Sequence, residues 1–94
     1  MYTKEKEAMD ILQEECGEVI VAVSKISRFG LDNLKPGKSK TNREHLEEEL
    51  GDLQAMVEIL QELDIVSWTN IERAAEAKRE KLKIWSSIFK TENI

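Results

Sequence analysis

Apolar residues recur at helical spacing in the first third of the chain. The row consists of Met9, Leu12, Cys16, Val19, Val23 and Ile26. Intervals of three and four residues place such positions on one side of an α-helix. The pattern predicts a first helix from about residue 4 to residue 29, ending at Gly30, because glycine is common just beyond helix C-termini.

Two more segments show the same periodicity. The second predicted helix begins after Thr41 or Asn42 and runs to about residue 63, with a row of Leu46, Leu50, Leu53, Val57 and Leu60. The third begins near Thr69, where Thr69 and Glu72 fit a capping box, and continues to about residue 89. Its row is Ile71, Ala75, Leu82, Trp85 and Phe89. No segment alternates as strands do, so we predict an all-α bundle of three main helices.

Length, charge and cysteine content narrow the class of protein. The 94 residues suit one domain over 1–94, and the net charge of −5 argues against binding to a nucleic-acid polymer. The single Cys16 lies in the apolar row, so we expect a buried thiol and a reducing, cytoplasmic location. No apolar run is long enough for a membrane span, and the charged first residues lack a signal-peptide pattern.

An internal repeat carries the chemically informative residues. Residues 12–19 read LQEECGEV and residues 46–53 read LEEELGDL, at an offset of 34. The repeat aligns Glu15 with Glu49 and Glu18 with Asp52. On a helix with about 100° per residue, each acidic pair lies about 60° apart and beside its apolar row. If the two helices pack antiparallel, the four carboxylates converge across the seam.

A converged acidic cluster is expected to hold a divalent cation. Like charges at close range repel one another, and a hard cation with all-oxygen ligands relieves that repulsion. Acidic residues spaced by three on a helix more often coat a solvated surface. Here, however, both copies also keep a glycine, Gly17 and Gly51, at a cost of about 1 kcal/mol each relative to alanine. The duplication therefore favours Mg²⁺ binding, with Mn²⁺ as an alternative.

The sequence Glu14-Glu15-x-x-Glu18, followed by Glu49-x-x-Asp52, resembles the signature of the MazG-like all-α nucleotide pyrophosphohydrolases. That superfamily also includes dimeric dUTPases and phosphoribosyl-ATP pyrophosphohydrolases. The resemblance implies hydrolysis of a nucleoside triphosphate to the monophosphate and pyrophosphate. It also implies that Glu15, Glu18, Glu49 and Asp52 are the metal ligands, with Glu15 or Glu14 accepting the proton of the attacking water.

Several basic residues are candidates for binding the phosphates. Lys78 falls in the middle of the third apolar row, where it must snorkel, pair with an acid or meet a ligand. Lys25 and Arg28 follow Glu18 on the first helix, and Lys38 lies in a basic loop over residues 30–41 with Lys35 and Lys40. We predict that Lys78, Lys25, Arg28 and Lys38 bind substrate.

Three further expectations complete the prediction. His45 matches no ligand position and is expected at the surface, while Trp85 is expected to pack inside. The first helix has apolar residues on several sides, so we expect a homodimer or a homotetramer to complete the bundle. Phosphoribosyl-ATP hydrolysis and a non-enzymatic helical interaction module remain as alternatives.

Overall fold

The described part of the chain forms three helices, joined by connections over residues 30–41 and 63–67. A computed structural model describes residues 2–91, and its helices are α1 (Lys4–Phe29), α2 (Asn42–Glu62) and α3 (Trp68–Trp85). No strand occurs within that range. The predicted all-α class and the order of the three helices are therefore confirmed, as are both ends of α1.

Local capping explains where α1 ends and where α2 begins. Gly30 ends α1 with a φ of +92°, a conformation that side-chain-bearing residues rarely adopt. Thr41 and Glu44 form a capping box at the start of α2 in which each side chain accepts a hydrogen bond from the other residue's backbone N–H. Asn42 then donates from its side chain to the carbonyl of Gly30, at 3.0 Å, so the loop closes on itself.

The ends of α3 differ from the prediction. Its N-cap is Ser67, whose hydroxyl accepts from the N–H of Asn70, and Thr69 lies inside the helix. The predicted Thr69/Glu72 capping box is therefore wrong; Glu72 instead accepts a 2.7 Å hydrogen bond from the indole of Trp68. The helix also stops at Trp85, short of residue 89, because Ser86 donates from its hydroxyl to the carbonyl of Leu82.

Helices α1 and α2 pack as an antiparallel hairpin. Ala8, near the start of α1, shares a buried cluster with Met56 and Leu60, near the end of α2. At the opposite end, Asn42 reaches Gly30. Around this core lie the half-buried residues Ile11, Leu12, Leu63, Ile65 and Val66. The core occupies one end of the hairpin and leaves its middle to other residues.

The hairpin seam is rotated relative to the predicted apolar rows. Cys16 and Leu50, both predicted to face the core, are exposed, whereas Ala22 is 0% exposed. Small side chains let two helix backbones approach closely, so Ala8 and Ala22 define the contact line of α1. As a result Glu15 and Glu49, rather than Cys16 and Leu50, lie toward the seam.

Helix α3 does not complete a bundle within one chain. None of its residues is buried, and Trp85, predicted to pack inside, is 82% exposed. Of its predicted core row, Ile71 and Leu82 reach partial burial. The radius of gyration is 16.8 Å, against about 12 Å for a compact domain of this length. The three-helix count is confirmed for the described residues, and within one chain no residue of α3 belongs to the hairpin core.

Within residues 2–91, no helix combines the length and hydrophobicity that crossing a membrane would require.

Candidate active site

Three carboxylates converge midway along the α1/α2 hairpin. Glu15, Glu49 and Asp52 each offer one oxygen, and these oxygens lie within 4.8 Å of one another. Glu15 comes from α1 and the other two from α2, so the contact joins the two copies of the repeat. The antiparallel packing inferred from the matched positions therefore brings together three of the four predicted ligands.

The negative charges of the three clustered carboxylates repel one another. Glu49 is almost fully buried, Glu15 is half-buried and Asp52 is exposed. Burial raises the pKa of Glu15, and the negative charges of Asp52 and Glu49 raise it further. A bound cation would reverse both effects, since it replaces lost hydration and neutralises the repulsion. Three oxygen donors without a thiolate suit Mg²⁺ or Mn²⁺.

The two remaining predicted acids lie beside the cluster. Glu18 and Glu14 are exposed on α1, and both charges contribute to the raised pKa of Glu15. Neither belongs to the group of three convergent oxygens. The metal-ligand role of Glu18 and the proton-accepting role of Glu14 stay predictions.

A basic pocket adjoins the acidic cluster. It has a volume of about 290 Å³ and is lined by Lys25, Lys35, Lys38, Ser39, Lys40, Thr41, Asn42, His45, Glu48 and Glu49. Glu49 thus belongs both to the pocket and to the carboxylate cluster. Of the predicted substrate-binding residues, Lys25 and Lys38 line this pocket. Cationic side chains next to an acidic metal-type site suit a ligand that carries several phosphates.

The basic loop, which supplies Lys35, Lys38 and Lys40 to the pocket, is anchored to the start of α2. Arg43 donates from its backbone to the carbonyl of Leu31 at 2.8 Å, and its guanidinium pairs with Asp32. Lys38 donates from its backbone to the carbonyl of Lys35, which forms a turn. These bonds hold the basic loop over the hairpin end from which the pocket opens.

Lys40 is engaged by a carboxylate of the second repeat. Its ammonium pairs with Glu48, and this hydrogen bond and charge lower the pKa of Glu48 and raise the pKa of Lys40. Glu48 is therefore directed to the loop, while the neighbouring Glu49 is directed to the carboxylate cluster. The two adjacent acids serve different contacts because they project about 100° apart on the helix.

Two predicted substrate-binding residues lie elsewhere. The Arg28 guanidinium lies 5.0 Å from the centre of the Phe29 ring and does not line the pocket. Lys78 is exposed on α3, which does not pack on the hairpin. Within one chain the structure does not bring either residue to the acidic cluster, and their substrate-binding roles stay predictions.

His45, predicted to be a surface residue, is partly exposed and also contacts an acid of the cluster. Its side chain is 27% exposed, and Nε2 lies 3.2 Å from Oε1 of Glu49. The spacing of four residues on one helix is the sequence signal that could have indicated this contact. His45 also lines the basic pocket, so it lies between the loop and the carboxylate cluster.

Comparison with known proteins identifies one family. The model of the MazG nucleotide pyrophosphohydrolase domain matches residues 3–84. Neither the curated proteins nor the solved structures contain a match to the chain. The matched range includes α1, α2, all of α3 except Trp85, both acidic pairs and the basic loop. The chain therefore belongs to the MazG nucleotide pyrophosphohydrolase domain family.

Proposed function

We propose that the chain hydrolyses a nucleoside triphosphate, ribo or deoxyribo, to the nucleoside monophosphate and pyrophosphate with the help of Mg²⁺ or Mn²⁺. Such a reaction would clean or adjust a nucleotide pool. The observation that carries the proposal is the convergence of Glu15, Glu49 and Asp52. These residues occupy matched positions of a repeat inside a MazG domain match.

The residues of the site have complementary tasks in this proposal. Glu15, Glu49 and Asp52, with Glu18 beside them, would hold the divalent cation. Bound there, the cation would neutralise charge at the phosphate oxygens and activate water for attack. Lysines of the pocket bind the outer phosphates through charge-assisted hydrogen bonds, with Lys25 and Lys38 among them.

The proton of the attacking water passes to an acid of α1. Glu15 is the first choice, because its carboxylate lies inside the cluster that would hold the cation and its activated water. Glu14 is the second choice, because it is exposed one residue away. The water oxygen bonds to the α-phosphorus as the α–β phosphoanhydride bond breaks, and pyrophosphate departs as the leaving group.

We also propose that the active form is a homodimer or homotetramer in the cytoplasm. The support is the exposed apolar surface of Ile84, Trp85 and Ile88 at the end of α3, which one chain leaves without cover. A second chain that covers α3 would also provide a route for Lys78 to approach an acidic cluster. Light scattering that finds a monomer at micromolar concentration would refute this part.

The deciding experiment follows turnover directly. Purified protein is incubated with each common ribo- and deoxyribonucleoside triphosphate, and separately with phosphoribosyl-ATP, in Mg²⁺, Mn²⁺ or EDTA. The monophosphate product and pyrophosphate are quantified by chromatography. Glu15→Gln and Asp52→Asn each remove one charge from the cluster. Glu47→Gln is the matched control, because Glu47 is exposed and lies outside the cluster in the same acidic run.

The expected result is metal-dependent pyrophosphate release that Glu15→Gln and Asp52→Asn abolish and Glu47→Gln preserves. Turnover of phosphoribosyl-ATP alone would transfer the proposal to that substrate. Absence of turnover together with absence of metal binding would refute the enzymatic proposal and favour a helical interaction module.

A further inference from the structure

His45 breaks the internal repeat at a position that matters for the acidic cluster. Under the 34-residue offset, His45 aligns with Ile11, which packs against the hydrophobic core. Each residue lies one turn before an acid of the cluster, Ile11 before Glu15 and His45 before Glu49. The second repeat thus has a ring nitrogen where the first has an aliphatic side chain.

The contact of His45 with Glu49 is well placed to affect that carboxylate. Nε2 of His45 lies 3.2 Å from Oε1 of Glu49, and the two side chains are 27% and 12% exposed. Glu49 is the most buried of the three clustered acids. Of the described Lys, Arg and His side chains, His45 is the one within ion-pair distance of it. A carboxylate with little water around it depends on such a donor for a defined orientation.

A donor at this distance can select one rotamer of Glu49. Glutamate has three side-chain torsions, so an unrestrained Glu49 would point its oxygens in several directions. One hydrogen bond to Oε1 would leave the remaining lone pairs of the carboxylate available for the cluster. Partners of this kind hold metal-binding carboxylates in position, and their loss costs about 10-fold to 100-fold in metal affinity or activity.

We propose that His45 is a positioning residue that donates from Nε2 to Glu49 and holds its carboxylate toward Glu15 and Asp52. The proposal rests on the metal-dependent function proposed above. It requires a proton on Nε2. Under this proposal, the two halves of the site differ: Glu49 is oriented by a side-chain donor from its own helix, and Glu15 is not.

The experiment compares Mn²⁺ binding to the free protein among three variants. His45→Leu replaces the donor with an aliphatic side chain like that of Ile11, and His45→Gln keeps an N–H donor at a similar reach. Gln54→Leu is the matched control, because Gln54 also contacts an acid four residues later on α2, at 3.3 Å, outside the cluster. Calorimetry gives the Mn²⁺ affinity, and circular dichroism gives the helix content.

The expected result is a loss of Mn²⁺ affinity in His45→Leu of about 10-fold to 100-fold, with most of the affinity restored in His45→Gln and none lost in Gln54→Leu. In turnover, kcat of His45→Leu should fall at limiting Mn²⁺ and recover at saturating Mn²⁺, while KM for the nucleotide stays near the wild-type value.

Two results would overturn the inference. Wild-type Mn²⁺ affinity in His45→Leu would show that Glu49 needs no positioning donor. Equal loss of helix content and of affinity in both His45 variants would show a structural role instead. If the wild-type protein itself binds no Mn²⁺, the metal dependence of the proposed function fails and the inference fails with it, which is distinguishable from the first two results.

Discussion

Replacing Gly51 with alanine is expected to stabilise the protein. Gly51 lies in the middle of α2, and a Cβ built on it meets no atom within 4 Å. Glycine inside a helix costs about 1 kcal/mol relative to alanine, because the unfolded chain loses more conformational freedom. No described atom obstructs the new Cβ, so Gly51→Ala should raise the free energy of unfolding by about 1 kcal/mol.

The same reasoning predicts that alanine stabilises the protein at Gly17 and destabilises it at Gly30. Gly17, the matched position in α1, also has open space, so Gly17→Ala should add a similar amount. Gly30 has a φ of +92°, so Gly30→Ala should destabilise by about 1–3 kcal/mol. For a domain of this size, 1 kcal/mol corresponds to a shift in Tm of about 4–8 °C.

Guanidinium denaturation followed by circular dichroism measures all three variants at several protein concentrations. The reasoning is refuted if Gly51→Ala lowers the free energy of unfolding. That result would mean that another surface approaches the Gly51 backbone closely in solution. A loss that grows with protein concentration would identify that surface as a second copy of the chain.

Three other perturbations test the core, a cap and the acidic cluster. Leu60→Ala should cost about 2–5 kcal/mol in urea denaturation, because Leu60 is 4% exposed in a small core; a loss below about 1 kcal/mol would contradict this packing. Hydrogen bonds from Thr41 lower the pKa of Glu44 below its ordinary value of 4.5, so its stabilising effect is complete above pH 4.5 and disappears as pH falls through the lower folded value. Glu44→Gln should therefore flatten the acid limb of the stability profile, and an unchanged limb would be inconsistent with the capping box. Glu15 has a raised pKa, so its charge disfavours the metal-free fold as pH rises past 4.5. Glu15→Gln should therefore raise Tm at pH 7 without cation. It should also abolish the further rise in Tm that Mn²⁺ gives the wild type. A Glu15→Gln variant whose Tm responds to Mn²⁺ as the wild type does would argue against Glu15 as a ligand.

Helix boundaries were predictable where a local signal has one dominant cause. Gly30 ends α1 because its positive φ suits no other residue well, and Thr41 starts α2 because its hydroxyl caps the first turn. At α3 two hydroxyl residues compete, and Ser67 rather than Thr69 takes the cap. The choice depends on the preceding connection Leu63–Ser67, whose packing a local pattern does not contain.

The proximity of Glu15 to Glu49 and Asp52 was predictable because the internal repeat makes the two helices of the hairpin equivalent. Matched positions of a repeat lie at the same level along the seam when the two helices pack antiparallel, and the rotation of each helix decides how far they face it. That rotation itself was not predictable from hydrophobicity. Ala8 and Ala22 count as weakly apolar in a pattern, yet their small size allows the close approach that turns Cys16 outward.

The bare surface of α3 implies an uneven distribution of local unfolding. Helix α3 has 18 residues, and a helix of this length without tertiary packing is only marginally stable in water. Helix nucleation is unfavourable, and each added residue contributes little stability. Backbone amide protons of α3 in a monomer should exchange rapidly with solvent deuterium, because this helix opens locally without global unfolding. Amides near Met56 and Leu60 should exchange only through global unfolding, since both residues are buried in the hairpin core. Deuterium uptake by α3 that slows as protein concentration rises would report assembly at the level of single peptide bonds.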